Sequence, residues 1–261
     1  MYKWILLDVK DRIATLTLNH PTQGNAVPSD GYLEIVDAMN RCDKDDDVAV
    51  VVLTGAGKHF SAGGNIRKFQ ESIDSKAYLK EDIVRDTAKI VLSLRQCGKP
   101  TVAMVNGAAA GLGFGLALSC DFRIVTAKSK FVAAFSNIGL TGDTGIMFML
   151  QRMVGLAKAT ELMMLGQPVP GEEALALGLA NRLAPEGELE QVTLEFAKTL
   201  AARPLMALRY QKQLYYETFM RGYMDYAYRE AQYMREASMT EDFAEAVSAF
   251  LAKRPPEFKG R

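Results

Sequence analysis

Apolar and polar positions alternate in two rhythms along this chain. Trp4–Val9 and Ile13–Leu18 are short β-type runs around Lys10–Arg12, which predicts a hairpin. Asn19–Asn25 is turn chemistry. Ser29 or Asp30 is placed to cap a helix running to about Cys42, with Leu33, Val36, Met39 and Asn40 setting its face. Val48–Thr54 is continuously apolar, as in a strand buried on both faces. Gly55–Asn65 is glycine-rich, and a polar helix-prone stretch follows over about Ser75 to Gln96.

The pattern then repeats as strand Thr101–Val105, a glycine/alanine loop to Gly115, a helix-like run Leu116–Cys120 and strand Phe122–Val125. Helical segments are predicted over Gly145–Met153, Leu156–Leu165, Glu172–Leu177 and Leu189–Ala202. From Pro204 onward nothing reads as a strand. Tyr223, Tyr226, Ala227, Glu230, Ala231 and Met234 form one helical stripe, and Phe243, Val247, Phe250 and Leu251 a second. Packing onto the core and packing onto other subunits both fit these stripes. The methionines at 147, 149, 153, 163 and 164 read as core.

These rhythms describe an α/β fold. Its two glycine loops, His59–Asn65 and Asn106–Gly115, each follow a buried strand. Parallel strands place such loops on one sheet edge, where each can aim an N–H at a shared point. Tight turning alone would also explain the glycines. A dinucleotide site does not fit, because Leu116 stands where the third glycine of the fingerprint belongs.

Composition narrows this further. The 261 residues suffice for one large domain, or for a core with an appendage. Lys+Arg and Asp+Glu are equal at 31 each, which argues against a nucleic-acid binder. Cys42, Cys97 and Cys120 are scattered and form no metal-ligand pattern, so no metal is expected. No run approaches a membrane span and the N-terminus does not resemble a signal peptide, so a cytoplasmic location is expected.

Four segments carry a more specific signal: LNHPTQGNA at 18–26, FSAGGN at 60–65, VNGAAAGLGFGLALSCD at 105–121 and FLAKRPPEFKGR at 250–261. Together, and in this order, they resemble the motifs of the enoyl-CoA hydratase/isomerase (crotonase) superfamily. The resemblance implies a spiral of ββα units over residues 1–200. It also implies a C-terminal helical region, 201–261, that builds trimers or paired trimers. The ligand would be an acyl-CoA thioester, with CoA part of the substrate and no separate cofactor. By position, the backbone N–H groups of Gly64 and Leu112 would form an oxyanion hole. Ala62, Gly63, Asn65 and Ile66 would run along CoA beside Gly111, and Phe135 and Ile138 would line the acyl site. Asn65 stands where the motif usually has Asp, and bracing the loop is its implied role.

Hydratases of this family carry two glutamates, and here Gly115 and Phe135 stand in their places. Adding water needs a base for the water and an acid for the carbon, so hydration is not expected. Asp143, in FVAAFSNIGLTGDTG, matches the acid of the superfamily's isomerases, closest to the 1,2-epoxyphenylacetyl-CoA and Δ3,Δ2-enoyl-CoA types. One carboxylate suffices to move a proton from the α to the γ carbon. Phe135, Ile138, Leu140 and Met147 would raise its pKa. The bland reading of Asp143 is a helix N-cap ahead of Thr144–Met153. The alternatives are an aroyl-CoA dehalogenase, which would carry a His that residues 66–104 lack, an atypical hydratase, and a non-catalytic acyl-CoA-binding subunit. His59 and His20 read as loop surface, and Glu34, Glu71 and Glu81 have no partner apparent in the sequence.

Overall fold

A computed structural model describes residues 2–261. The chain opens with β1 (Ile5–Lys10), β2 (Ile13–Leu18), α1 (Ser29–Lys44) and β3 (Val50–Gly55). Helices α2 (Ile66–Asp74) and α3 (Glu81–Gln96) lead to β4 (Thr101–Val105), β5 (Ala108–Ala110) and α4 (Leu112–Ser119). Next come β6 (Phe122–Val125), β7 (Lys130–Val132), α5 (Ile146–Val154), α6 (Leu156–Leu165), β8 (Pro168–Pro170), α7 (Gly171–Ala176) and β9 (Arg182–Leu183). Four helices finish the chain: α8 (Leu189–Ala201), α9 (Leu205–Phe219), α10 (Tyr223–Ala237) and α11 (Glu241–Ala252).

Six strands form the main sheet in the order β1-β2-β3-β4-β6-β9. Among the described residues of this sheet only the β1–β2 hairpin is antiparallel, turned by Asp11 and Arg12 at φ 51° and 64°. The parallel centre explains the continuous apolar run at β3. Val50 and Val52 pack with Ile124 and Ala197 on the α8 side, while Val51 and Leu53 pack with Ile35 and Leu94 on the other. A second sheet, β5-β7-β8, stands beside the first.

Several elements differ from the sequence reading. Pro28, not Ser29 or Asp30, occupies the cap position of α1, and no side chain caps that helix. The buried face of α1 is Tyr32, Ile35, Ala38, Met39 and Cys42, so Leu33 and Asn40 are exposed. The stretch from Ser75 to Gln96 is not one helix, because Lys76 at φ 53° turns the chain between α2 and α3. Met164 lies on the surface, not in the core, and of the second stripe Phe250 and Leu251 are exposed while Phe243 and Val247 are buried. Glu34 has partners after all, accepting from the backbone N–H groups of Lys3 and Trp4 at 2.9 and 2.8 Å.

The last helices close over the core. Tyr223, Ala231 and Met234 of α10 and Phe243 and Val247 of α11 join the main apolar cluster. Lys212 of α9 pairs with Asp121 at 2.6 Å, tying that helix to the start of β6. The outer face of α9 leaves Met206, Tyr210, Leu214 and Tyr215 exposed. Among the described residues, no helix is long and apolar enough to cross a membrane.

Candidate active site

The loops after β3 and β4 meet at the start of α4. Ser61 bridges to Ala109 in parallel: its N–H donates to Ala108 O at 3.0 Å and its carbonyl accepts from Ala110 N–H at 2.9 Å. Close approach demands small residues here. A Cβ at Gly113 would lie 2.5 Å from the Ser61 carbonyl oxygen. Gly111, at φ 51° and ψ −122°, turns the chain from β5 into α4 in a conformation that side chains disfavour. Asn25 holds the first loop from beneath, its amide donating to Ala56 O at 2.8 Å and His59 O at 2.7 Å.

This junction sets the two implied oxyanion donors. Leu112 is the first residue of α4, so its N–H lies beyond the helix ladder. A Cβ at Gly63 would sit 3.3 Å from that nitrogen, which brings the Gly63–Gly64 peptide beside it. Among the described residues, neither the Gly64 nor the Leu112 N–H donates to a protein acceptor. Both are backbone donors fixed by packing, with the dipole of the fully buried α4 behind one of them.

The other implied residues fall around them. Ala62 and Gly64 are exposed at the rim, Gly63 and Gly111 are buried, and Ile66 packs partly into the core. Asn65 caps α2, accepting from Arg67 N–H at 3.0 Å and donating to Gln23 at 2.6 Å. Asn65→Ala is expected to cost about 1 kcal/mol. Amide hydrogen exchange should show the loss as faster opening of α2 while the sheet stays protected. Phe135 is buried against Gly111, its ring 3.6 Å from where a Cβ would stand, so an apolar wall fills that position. Ile138 packs partly buried nearby.

Asp143 lies in a turn that leads into α5 and does not cap that helix; Gly145 occupies the cap position without a side-chain bond. Asp143 is partly buried as a residue, and protein packs around its carboxyl. Burial pushes its pKa up to about 6, opposed by the Thr144 hydroxyl, which donates to Oδ1 at 3.0 Å. Phe135 and Leu140 belong to the main apolar core, and Ile138 and Met147 pack against it partly buried. The turn touches α4 directly: a Cβ at Gly115 would overlap the Thr144 hydroxyl and stand 2.5 Å from its Cβ. The place of the first hydratase glutamate is therefore filled by Thr144.

The sequence alone gives Thr144 and Glu230 no chemical role. Thr144 sits beside Asp143, and its importance shows only through contact with α4. Glu230 left a signal as the one acid in an otherwise apolar helical stripe. It is buried, and desolvation pushes its pKa up to about 8. His59 is half-buried at the first loop, and His20 is half-buried against Trp4 rather than exposed. The open groove between α3 and α10, lined by Arg85, Lys89 and Tyr228, contains none of the implied site residues. Among the described residues, no cluster of three or more His, Cys, Asp or Glu could hold a metal.

A family model described as Enoyl-CoA hydratase/isomerase matches residues 8–261. The chain is 32% identical over 263 residues to the trans-2-decenoyl-[acyl-carrier-protein] isomerase of Streptococcus mutans, covering 100% of this chain and 99% of that protein. It is also 32% identical over 264 residues to the 1,2-epoxyphenylacetyl-CoA isomerase of Escherichia coli, covering all of both. Relatives named as enoyl-CoA hydratases have comparable identity. A crystal structure of an enoyl-CoA hydratase from Mycobacterium avium subsp. paratuberculosis superposes with a TM-score of 0.88 at 28% identity, covering 98% of this chain and 99% of that one.

Proposed function

The chain belongs to the enoyl-CoA hydratase/isomerase family, and within that family we propose that it is an isomerase that shifts a carbon–carbon double bond in a thioester. The carrying observation is the single carboxylate. Asp143 is bonded to the Thr144 hydroxyl, Thr144 occupies the space beyond Gly115 of α4, and Phe135 walls the other glutamate position. A hydratase needs separate partners for water and carbon, and this site offers one proton carrier.

In this mechanism the thioester carbonyl oxygen accepts from the Gly64 and Leu112 N–H groups. Asp143 takes a proton from the α carbon of a 3-enoyl thioester. The electron pair moves into the dienolate, whose oxygen the two donors stabilise; removing one such donor elsewhere costs about 2.7–4 kcal/mol. Asp143 then returns its proton at the γ carbon, leaving a conjugated 2-enoyl thioester and an unchanged carboxylate. No cofactor or metal takes part. The 1,2-epoxyphenylacetyl-CoA isomerase relative supports a ring epoxide as a second substrate type. The carrier would be CoA, and the Streptococcus mutans relative, named for an acyl-carrier-protein substrate, makes that carrier the natural comparison. The bare apolar face of α9 fits a homo-oligomeric enzyme.

The direct test supplies 3-enoyl-CoA in deuterated water. The expected products are the conjugated 2-enoyl ester and deuterium at the reacting carbons, with no 3-hydroxyacyl ester. Accumulation of a hydroxyacyl product would return the chain to the hydratases. Binding without exchange, across several acyl groups and both carriers, would make it a non-catalytic thioester binder.

A further inference from the structure

The turn that carries Asp143 is held in an unfavourable shape. Gly142, Thr144 and Gly145 have φ of 142°, 54° and 63°. Thr144 is β-branched, and the left-handed region is a poor place for such a residue. A turn of this kind persists only where its surroundings fix it. Two side chains do so through consecutive N–H groups. Thr87 of α3 accepts from Thr144 at 3.2 Å, and Glu230 of α10 accepts from Gly145 at 3.0 Å through Oε2.

Glu230 is an unusual anchor. It is 5% exposed and lies on the apolar stripe of α10. Its other oxygen, Oε1, accepts from the Tyr226 hydroxyl at 2.8 Å. Tyr223 packs onto Gly145 so tightly that an added Cβ would lie 3.0 Å from the phenol oxygen and overlap the ring.

We propose that Glu230 is the positioning residue for Asp143: its carboxyl, held by Tyr226, fixes the Gly145 N–H and so aims Asp143 at the two-loop junction. The role rests on Asp143 being the base. Burial and the charge of Asp143 push Glu230 up, while its bonds from Gly145 and Tyr226 pull it down. Both oxygens are committed as acceptors, Oε2 to Gly145 and Oε1 to Tyr226, so the anchor is held at two points. The groups facing Glu230 are Asp143 from the turn and Tyr226 and Tyr223 from its own helix. Helix α3 presents Thr87 to the turn, while its charged Arg85, Asp86 and Lys89 line the outer groove.

The test compares Glu230→Gln, Glu230→Leu, Tyr226→Phe and Asp143→Asn for kcat, KM and the pH profile of kcat/KM. The amide oxygen of Glu230→Gln still accepts from Gly145, so kcat should stay within about 3-fold of the parent. Glu230→Leu leaves that N–H without an acceptor; kcat should fall about 10–30-fold with KM within about 2-fold, as misplacement of a reacting group predicts. Its acidic limb should also move down from about 6 toward the ordinary carboxylate range, because a released turn lets water reach Asp143. A purely structural loss would lower the yield of folded enzyme without moving that limb. Unchanged kcat and acidic limb in folded Glu230→Leu would overturn the proposal, as would a fall in Glu230→Gln equal to that in Glu230→Leu. If Glu230→Leu fails to fold, Tyr226→Phe decides: about a 3-fold loss in kcat at constant KM supports the anchor, and parent-like kinetics refute it. Retained activity in Asp143→Asn would instead refute the base assignment on which the anchor rests.

Discussion

Asp143→Asn is expected to abolish isomerisation and to make the protein more stable. The amide cannot carry the proton from the α to the γ carbon, so turnover should fall about 10²–10⁴-fold, the range for a lost general base. Thioester binding should persist, because the Gly64 and Leu112 donors belong to the backbone. In the parent, kcat/KM should rise with pH through about 6 as Asp143 ionises. The same displacement fixes the sign of the stability effect. The folded carboxyl keeps its proton up to about 6, while the unfolded chain releases it near the ordinary aspartate value of 3.8. Between those values unfolding releases a proton, so rising pH favours the unfolded chain, and the cost is complete above the folded value. Asparagine keeps the acceptor for the Thr144 hydroxyl and removes that cost. The variant should therefore gain ~1–2 kcal/mol at pH 7.5, a few degrees in Tm, and lose this advantage below about pH 4. Calorimetry at two pH values, beside a turnover assay, checks both halves. A variant that is inactive and also less stable at pH 7.5 would make Asp143 a structural residue.

Such a trade between stability and chemistry was partly legible in the sequence. The strands β3 and β4 announced themselves as continuous apolar runs, because both faces are covered. The loops announced themselves by glycines that only make sense where backbones touch. Strands of two or three residues such as β5 and β9 left no period to read, and β5 is itself part of the alanine run in the second loop. Residues 75–80 carry no proline or glycine, so nothing in the sequence marks the break between α2 and α3. Asp143 was legible by position alone, and its environment was not. Thr87 and Glu230 lie 57 and 85 residues from the groups they bind, and such a distance is closed only by the fold. The apolar stripe of α10 contained Glu230 openly, but a lone acid in a stripe does not say which N–H it will meet.

The second large effect concerns a methyl group. Gly115 is an interior residue of α4, where intrinsic propensity alone predicts that alanine would stabilise by about 1 kcal/mol. Packing reverses the sign. A Cβ there would overlap the Thr144 hydroxyl and sit 2.5 Å from the Thr144 Cβ. Thr144 is fully buried and belongs to the turn that carries Asp143, so neither partner has slack. Gly115→Ala should therefore destabilise by about 2–3 kcal/mol, the cost of overpacking a tight core. It should also depress turnover by more than 10-fold as Thr144 and Asp143 shift together. Chemical denaturation and steady-state kinetics on the same preparation measure the two effects. Pairing it with Thr144→Gly should restore much of the stability, because glycine accepts φ 54° readily and vacates the contested space. The activity should not return fully, since the hydroxyl bonded to Asp143 is gone. Gly115→Glu must fail for the same reason: its first side-chain atom already collides. A glutamate thus cannot be restored by one substitution, because the contact between α4 and the turn leaves it no space. Stability in Gly115→Ala equal to or above the parent would show that the turn yields, and that Gly115 leaves room for a second acid.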